Sequence, residues 1–426
     1  MSMSDCPVEL LDMIVDRVSS GKGLRSLRAV DKTFCALATP RAFRQVYVTN
    51  SLPSALGLKA LMDCDKLAKT VERIVFRWSE PSELVTDSVA ARATFVALVT
   101  IFAQLHKFPA LVALALELCP GLRGQSITVN EDGQIDLSRQ STEAGLVQST
   151  IVQALLRNRD LPRLKSLTLA NLIAFPFAYY ESQPFADMLS SVEHLHLTLH
   201  GMSSLDGPGA PETWSWMWQE MVPIHFLGPP QSRLTSLTLT SDQPVGRFPR
   251  LDLSGLFFPA LRRLELGGIM FDHHRRIEDF IVRHGQSLVT LVLDSCPMHV
   301  ESLDGAPERP WREVCDRLAR ELEALIDLRV YLRTGWGLDD LDRSEEVRLT
   351  YECQSDGTGY GYARGETTKM LEALDRPALE QLLEKVRTRK AKQAKEPSLP
   401  SHIGDPVEVP LAEPASASFV IPIHWV

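Results

Sequence analysis

Between residues 71 and 330 the chain repeats one hydrophobic phrase, leucine-x-x-leucine-x-leucine. Strict copies are Leu111/Leu114/Leu116, Leu164/Leu167/Leu169, Leu234/Leu237/Leu239, Leu261/Leu264/Leu266 and Leu288/Leu291/Leu293. Looser copies are Val71/Ile74/Phe76, Val192/Leu195/Leu197 and Leu325/Leu328/Val330. The last two apolar positions of each phrase are two residues apart, the period of a strand that buries one face. Successive phrases start 27 residues apart from Leu234 to Leu261 to Leu288, and 28 to 53 apart elsewhere. The intervals therefore carry insertions. Within them the apolar spacing turns helical, over 90–108, 145–158 and 277–284, the last closed by Gly285 as a C-cap. Strand and helix in alternation predict an α/β fold of stacked parallel strands whose leucines share one core.

Residues 6–48 follow a different pattern. Leu10, Ile14 and Val18 recur every four residues with Leu11 and Val15 beside them, a wide apolar stripe on a helix opened by Pro7 and Glu9. Ser19, Ser20, Gly21 and Gly23 break it. Leu24, Leu27 and Val30 predict a short second helix. Asp31 caps a third that carries Phe34, Leu37 and Ala38 and is interrupted at Pro40. Residues 45–49 alternate like a strand. About forty residues bury little core alone, so these helices call for a partner surface.

The insertions have their own character. Residues 126–138 read as a hairpin around Asp132-Gly133. Residues 175–185 are aromatic and broken by proline, and Trp214, Trp216 and Trp218 follow a Gly/Pro-rich turn. Large aromatics usually cover a core. On insertion loops they also suit recognition, which makes Trp214, Trp216, Trp218, Tyr179 and Tyr180 candidate target-binding residues. Toward the C-terminus a helix near 311–328, a strand at 330–332 and a last edge strand at 347–353 are expected. The glycine-rich run 357–361 lacks a full G-x-G-x-x-G and reads as a turn. Residues 366–395 predict a long helix split in two at Asp375-Arg376-Pro377, with a basic end over 385–395 that reads as a solvated helix terminus or a nuclear-import signal. From residue 396 the proline content predicts a disordered tail.

Composition narrows the function. A net charge of −9 argues against general nucleic-acid binding. No apolar run reaches the ~18 residues of a membrane span, and the first twenty residues show no basic n-region of a signal peptide. Seven scattered cysteines without a C-x-x-C pair fit a reducing, intracellular setting, cytoplasmic or nuclear. His194, His196 and His200 fall on one face of a strand, yet no cysteine or carboxylate clusters beside them, so they read as ordinary histidines and no metal or cofactor is expected. No G-x-S-x-G, H-E-x-x-H or P-loop is present, and the chain does not read as an enzyme.

The order Pro7-x-Glu9-Leu10-Leu11-x-x-Ile14, then Leu24-x-x-Leu27, Val30, Phe34, Leu37-Ala38-x-Pro40 and Phe43, resembles the F-box in its fungal form. The family has leucine where this chain has Cys6. Residues 258–297 resemble the leucine-rich segment common in fungal F-box proteins. The resemblance implies four regions: an F-box-like module over 1–48, an irregular leucine-rich-repeat solenoid over 49–353, a glycine-rich turn and C-terminal helices over 354–395, and the tail over 396–426. It implies a substrate-recognition subunit of a cullin–RING ubiquitin ligase. Pro7, Leu10, Ile14, Leu27, Val30 and Phe34 would face a Skp-type adaptor, and through it a cullin, while the repeats hold an unidentified target protein. The alternative is a leucine-rich scaffold, or an adaptor-binding protein, that acts outside any ligase.

Overall fold

The computed structural model describes residues 6–78, 89–118, 143–158, 161, 164–174, 177–200, 212–274, 277–301, 309–333, 343–344, 349–355, 359–362 and 366–395. The hairpin expected over 126–138 and the proline-rich tail lie outside the described residues.

Three helices open the chain: α1 (Val8–Asp16), α2 (Gly21–Arg28) and α3 (Lys32–Arg44). Pro7 stands at the N-cap of α1 rather than inside its first turn. Ser20 Oγ accepts from the Gly23 amide, and Asp31 Oδ1 accepts from the amides of Thr33 and Phe34 at 2.7 and 2.9 Å. Both cap contacts satisfy amides that the helix leaves without partners. The interruption expected at Pro40 does not occur, and α3 runs through it. Tertiary contacts outweigh the local cost of the missing amide. Ala38 is buried beyond Phe34, and Arg41 at the next position pairs with Asp12 and Asp16 of α1 at 3.0 and 2.7 Å.

The chain then enters a ten-stranded sheet. Nine strands are parallel and lie in chain order: β1 (Gln45–Thr49), β2 (Arg73–Arg77), β3 (Ala113–Glu117), β4 (Ser166–Ile173), β5 (His194–His200), β6 (Ser236–Val245), β7 (Arg263–Ile269), β8 (Thr290–Asp294) and β10 (Asp327–Arg333). The pair β11 (Arg343–Ser344) closes the far end antiparallel to β10. Helices alternate with the strands: α4 (Leu52–Met62), α5 (Asp65–Ala68), α6 (Val89–Phe102), α7 (Glu143–Leu155), α8 (Gln183–Ser190), α9 (Glu212–Trp216), α10 (Ile277–Arg283) and α11 (Trp311–Glu321). Such parallel neighbours require a crossover between each pair.

The repeated phrase sets the register. Ile74, Leu114, Leu167, Leu195, Leu237, Leu264, Leu291 and Leu328 form one row across the strands. Phe76, Leu116, Leu169, Leu197, Leu239, Leu266, Leu293 and Val330 form the next. Every one of these sixteen side chains is buried. A one-residue slip would turn an entire row to the opposite face, which is why the alternation fixes the pairing so firmly.

Three expectations for the C-terminal region are corrected, the first being the turn over 357–361, where Gly359–Tyr362 pairs as a strand. The strand expected over 347–353 is not an edge of the main sheet; β12 (Thr350–Ser355) is the centre of a second sheet, between β9 (Pro297–Val300) and β13 (Gly359–Tyr362). The long helix is not split at Pro377, because α12 runs unbroken over Glu366–Lys395. Leu379, Leu382 and Val386 of α12 are buried in the core shared with the main sheet, and that burial offsets the local cost of the proline.

Candidate functional site

The three N-terminal helices have a core of their own. Leu11, Val15, Leu24, Phe34 and Ala38 are buried together, and Cys6, Val18, Leu27, Leu37 and Ala42 pack around them. The apolar stripe on α1 thus divides. Leu11 and Val15 turn inward, while Val8, Leu10, Met13 and Ile14 are 51%, 49%, 59% and 42% exposed. Leu10, Met13 and Ile14 stand at i, i+3 and i+4, so their side chains adjoin on one helix surface. Val30, just beyond α2, is 59% exposed. Leaving several large apolar side chains in water on a short helix is unusual unless something covers them.

The expected adaptor-facing set is only partly on this surface. Pro7, Leu10, Ile14 and Val30 are exposed and Leu27 is half-buried. Phe34 is 1% exposed at the centre of the small core, so it holds the helices together and presents nothing outward. Met13, which sequence reasoning passed over, extends the outer stripe three residues from Leu10, while Val8, three residues before the buried Leu11, is exposed at the open start of the helix. The rim is charged. Arg41 bridges Asp12 and Asp16, and the hydrogen bond with Asp16 raises its pKa further. The Arg28 guanidinium lies 4.7 Å from the Phe43 ring centroid and donates to Thr39 Oγ1 at 2.9 Å.

Of the aromatic set, Trp214, Trp218 and Tyr180 are buried in the core, and Trp216 and Tyr179 are half-buried. Trp214 and Trp218 meet edge to face at 5.8 Å, both buried, where α9 passes into a wide π-helical stretch over Met217–Leu227. Residues four apart face one another on a helix, and the helical form of this segment is what puts them together. Trp216 is half-buried and donates from Nε1 to Glu220 Oε2 at 3.0 Å. Tyr180 is buried among Tyr179, Phe185 and Phe226, and its hydroxyl accepts from Gln148 Nε2 at 3.1 Å. Tyr179 stacks on Phe177 at 5.0 Å. Burial pushes the pKa of both tyrosines up.

The histidine strand does not assemble a metal centre. His194 and His196 are half-buried, and burial lowers the pKa of His194. His200 is buried with Nδ1 2.8 Å from Asp242 Oδ2. Among the described residues no group of three or more His, Cys, Asp or Glu is placed to hold a metal ion. No described helix is long and apolar enough to cross a membrane. Comparison of the chain with protein-family models and with curated proteins finds no match.

Proposed function

We propose that the chain is the substrate-recognition subunit of an SCF-type ubiquitin ligase. The N-terminal helices act as an F-box that docks on a Skp-type adaptor, and the sheet acts as a leucine-rich-repeat array that holds the target protein. The observation that carries this reading is the division of the α1 stripe. The module buries Leu11, Val15, Leu24, Phe34 and Ala38 for its own stability and still leaves Val8, Leu10, Met13 and Ile14 outside. Apolar surface of that kind, set in a charged rim, is the usual centre of a protein interface. The chemistry of ubiquitin transfer would belong to other subunits.

The test is capture of purified Skp-type adaptor by the full chain and by a Leu10→Asp/Ile14→Asp variant. Both side chains are exposed, so their replacement leaves the small core intact. We expect capture by the wild type and at least a tenfold loss in the variant, since a central anchor contributes about 2 kcal/mol or more. Undiminished binding by the variant would sink the interface. No capture by the wild type would favour a scaffold that works outside a ligase.

A further inference from the structure

A groove of about 830 Å³ opens where the rim of the main sheet meets the end of α12. Its floor comes from the turns that lead into β6, β7, β8 and β10, through Thr235, Arg262, Ser287 and Ile326. Its wall is the last part of α12, with Arg389, Lys392 and Gln393. Arg389 fastens that wall. Its two amino groups donate to the carbonyls of Leu322, the C-cap of α11, and of Ala319 in its last turn, at 2.7 and 2.9 Å. A cation at a helix C-terminus is favourable against the dipole. Once Arg389 is seated, Lys392 stands at the groove, opposite the exposed Arg262. Among the described residues neither Arg262 nor Lys392 has an acidic partner within 4 Å. The acid of the groove, Glu323, accepts from Gln286 Nε2 at 3.1 Å. The charge left over in the groove is positive.

The adjoining sequence carries the complement. Residues 384–395 contain six cations, at 385, 387, 389, 390, 392 and 395, against Glu384 alone. Residues 396–413 contain Glu396, Asp405, Glu408 and Glu413 and neither lysine nor arginine. This acidic segment begins three positions after Gln393, which is itself part of the wall. We propose that residues 396–413 are the occupant of this groove, held by Arg262 and Lys392. Three arguments converge. The charges are opposite. Gln393 of the wall stands three positions before the segment, and so short a tether gives an effective concentration on the order of millimolar. Prolines at 397, 400, 406 and 410 restrict the free segment, so less conformational entropy is lost when it is held. This assignment is independent of the reading of the N-terminal helices, which lie at the other end of the strand order. It gives the basic end of α12 a role in retaining its own continuation.

The test uses full-length chains. A fluorescent peptide of residues 396–413 is titrated by polarisation into the wild type and into a variant with neutral acids (Glu396→Gln, Asp405→Asn, Glu408→Gln, Glu413→Gln). In the wild type the chain's own segment competes for the groove. We expect the peptide to bind the neutralised variant at least tenfold more tightly, and to weaken as NaCl is raised from 50 to 500 mM. Adding Arg262→Glu and Lys392→Glu to the neutralised variant should remove that binding by a further tenfold or more. Both side chains are exposed, and far-UV circular dichroism verifies that the fold is kept. No binding to the neutralised variant, equal binding to it and the wild type, or binding indifferent to Arg262→Glu/Lys392→Glu would each overturn the proposal.

Discussion

Glu352 lies in the middle strand of the small sheet, 2% exposed, and its Oε2 accepts no hydrogen bond among the described residues. Burial alone pushes its pKa up to about 8 from an ordinary 4.5. An acid raised in this way is protonated when folded and ionised when unfolded across that interval. Its contribution is full below about pH 4.5 and is lost as pH rises through 8. His299, its parallel neighbour in β9, moves the opposite way. Burial and then the Arg247 charge hold it down to about 4, with Arg247 Nη1 3.1 Å from its Nδ1. Its contribution is present above an ordinary 6.5 and is lost as pH falls toward 4. The two oppose one another between about pH 4.5 and 6.5, so we expect the thermal midpoint to decline from pH 6.5 to 8.5, and to decline less in Glu352→Gln. A variant with the same slope as the wild type would show that Glu352 is not the titrating group. These two side chains were invisible as a pair in the sequence, because 53 residues separate them and only the parallel pairing of β9 with β12 joins them.

At the scale of elements, the attachment of α12 turns on one carboxylate. Asp375 is buried, accepts from the Arg312 amide at 2.8 Å and receives the hydroxyl of Tyr351. It thereby joins α11, β12 and α12 at a single point. Replacing it with alanine strands a buried hydroxyl, at a cost of about 1–3 kcal/mol, and removes the partner of the part-buried Arg312 amide. We expect Asp375→Ala to lower stability by at least that much and to speed amide exchange along 366–395, while Tyr351→Phe should be milder. The same proline-containing triplet, Asp375-Arg376-Pro377, reads from sequence as a break. The local rule is sound, but the buried carboxylate and the apolar stripe that follows lie in contacts the rule does not include. Pro40 failed as a breaker for the same reason. Strands fared better. Every leucine phrase from Val71 to Leu325 became a strand in the expected position, since two-residue alternation states its own burial. The histidine and tryptophan segments were harder to read, because burial from neighbouring elements decides whether such side chains serve a core or a surface.

For the molecule as a whole, two cores matter. The small one contains only side chains from the N-terminal helices, and the large one runs from Val48 to Val386. Damage to the first should leave the second standing. Phe34→Ala removes the largest buried ring of the small core and should cost about 3–5 kcal/mol there. We expect hydrogen exchange to accelerate over 8–44 while the amides of β4 through β8 keep their protection. Loss of protection in both regions would show that the two cores melt as one. The assignment of α1 as a docking face predicts in addition that Phe34→Ala weakens adaptor capture indirectly, whereas Leu10→Asp acts without any change in exchange.

The lock-step register of the parallel strands also sets a scale for anything laid across them. Gln45, Arg73, Ala113, Ser166, His194, Ser236, Arg263, Thr290 and Asp327 form one lane on the face opposite the leucines, and none of them is buried. Strands repeat every ~4.8 Å, so the lane is a ruler roughly 38 Å long. A helix crossing the strands advances ~5.4 Å per turn and drifts out of phase by ~0.6 Å per strand. An extended peptide shows same-side residues every ~6.6 Å and drifts about three times faster. Over about four consecutive strands, therefore, a helical ligand keeps step with this lane and an extended one does not.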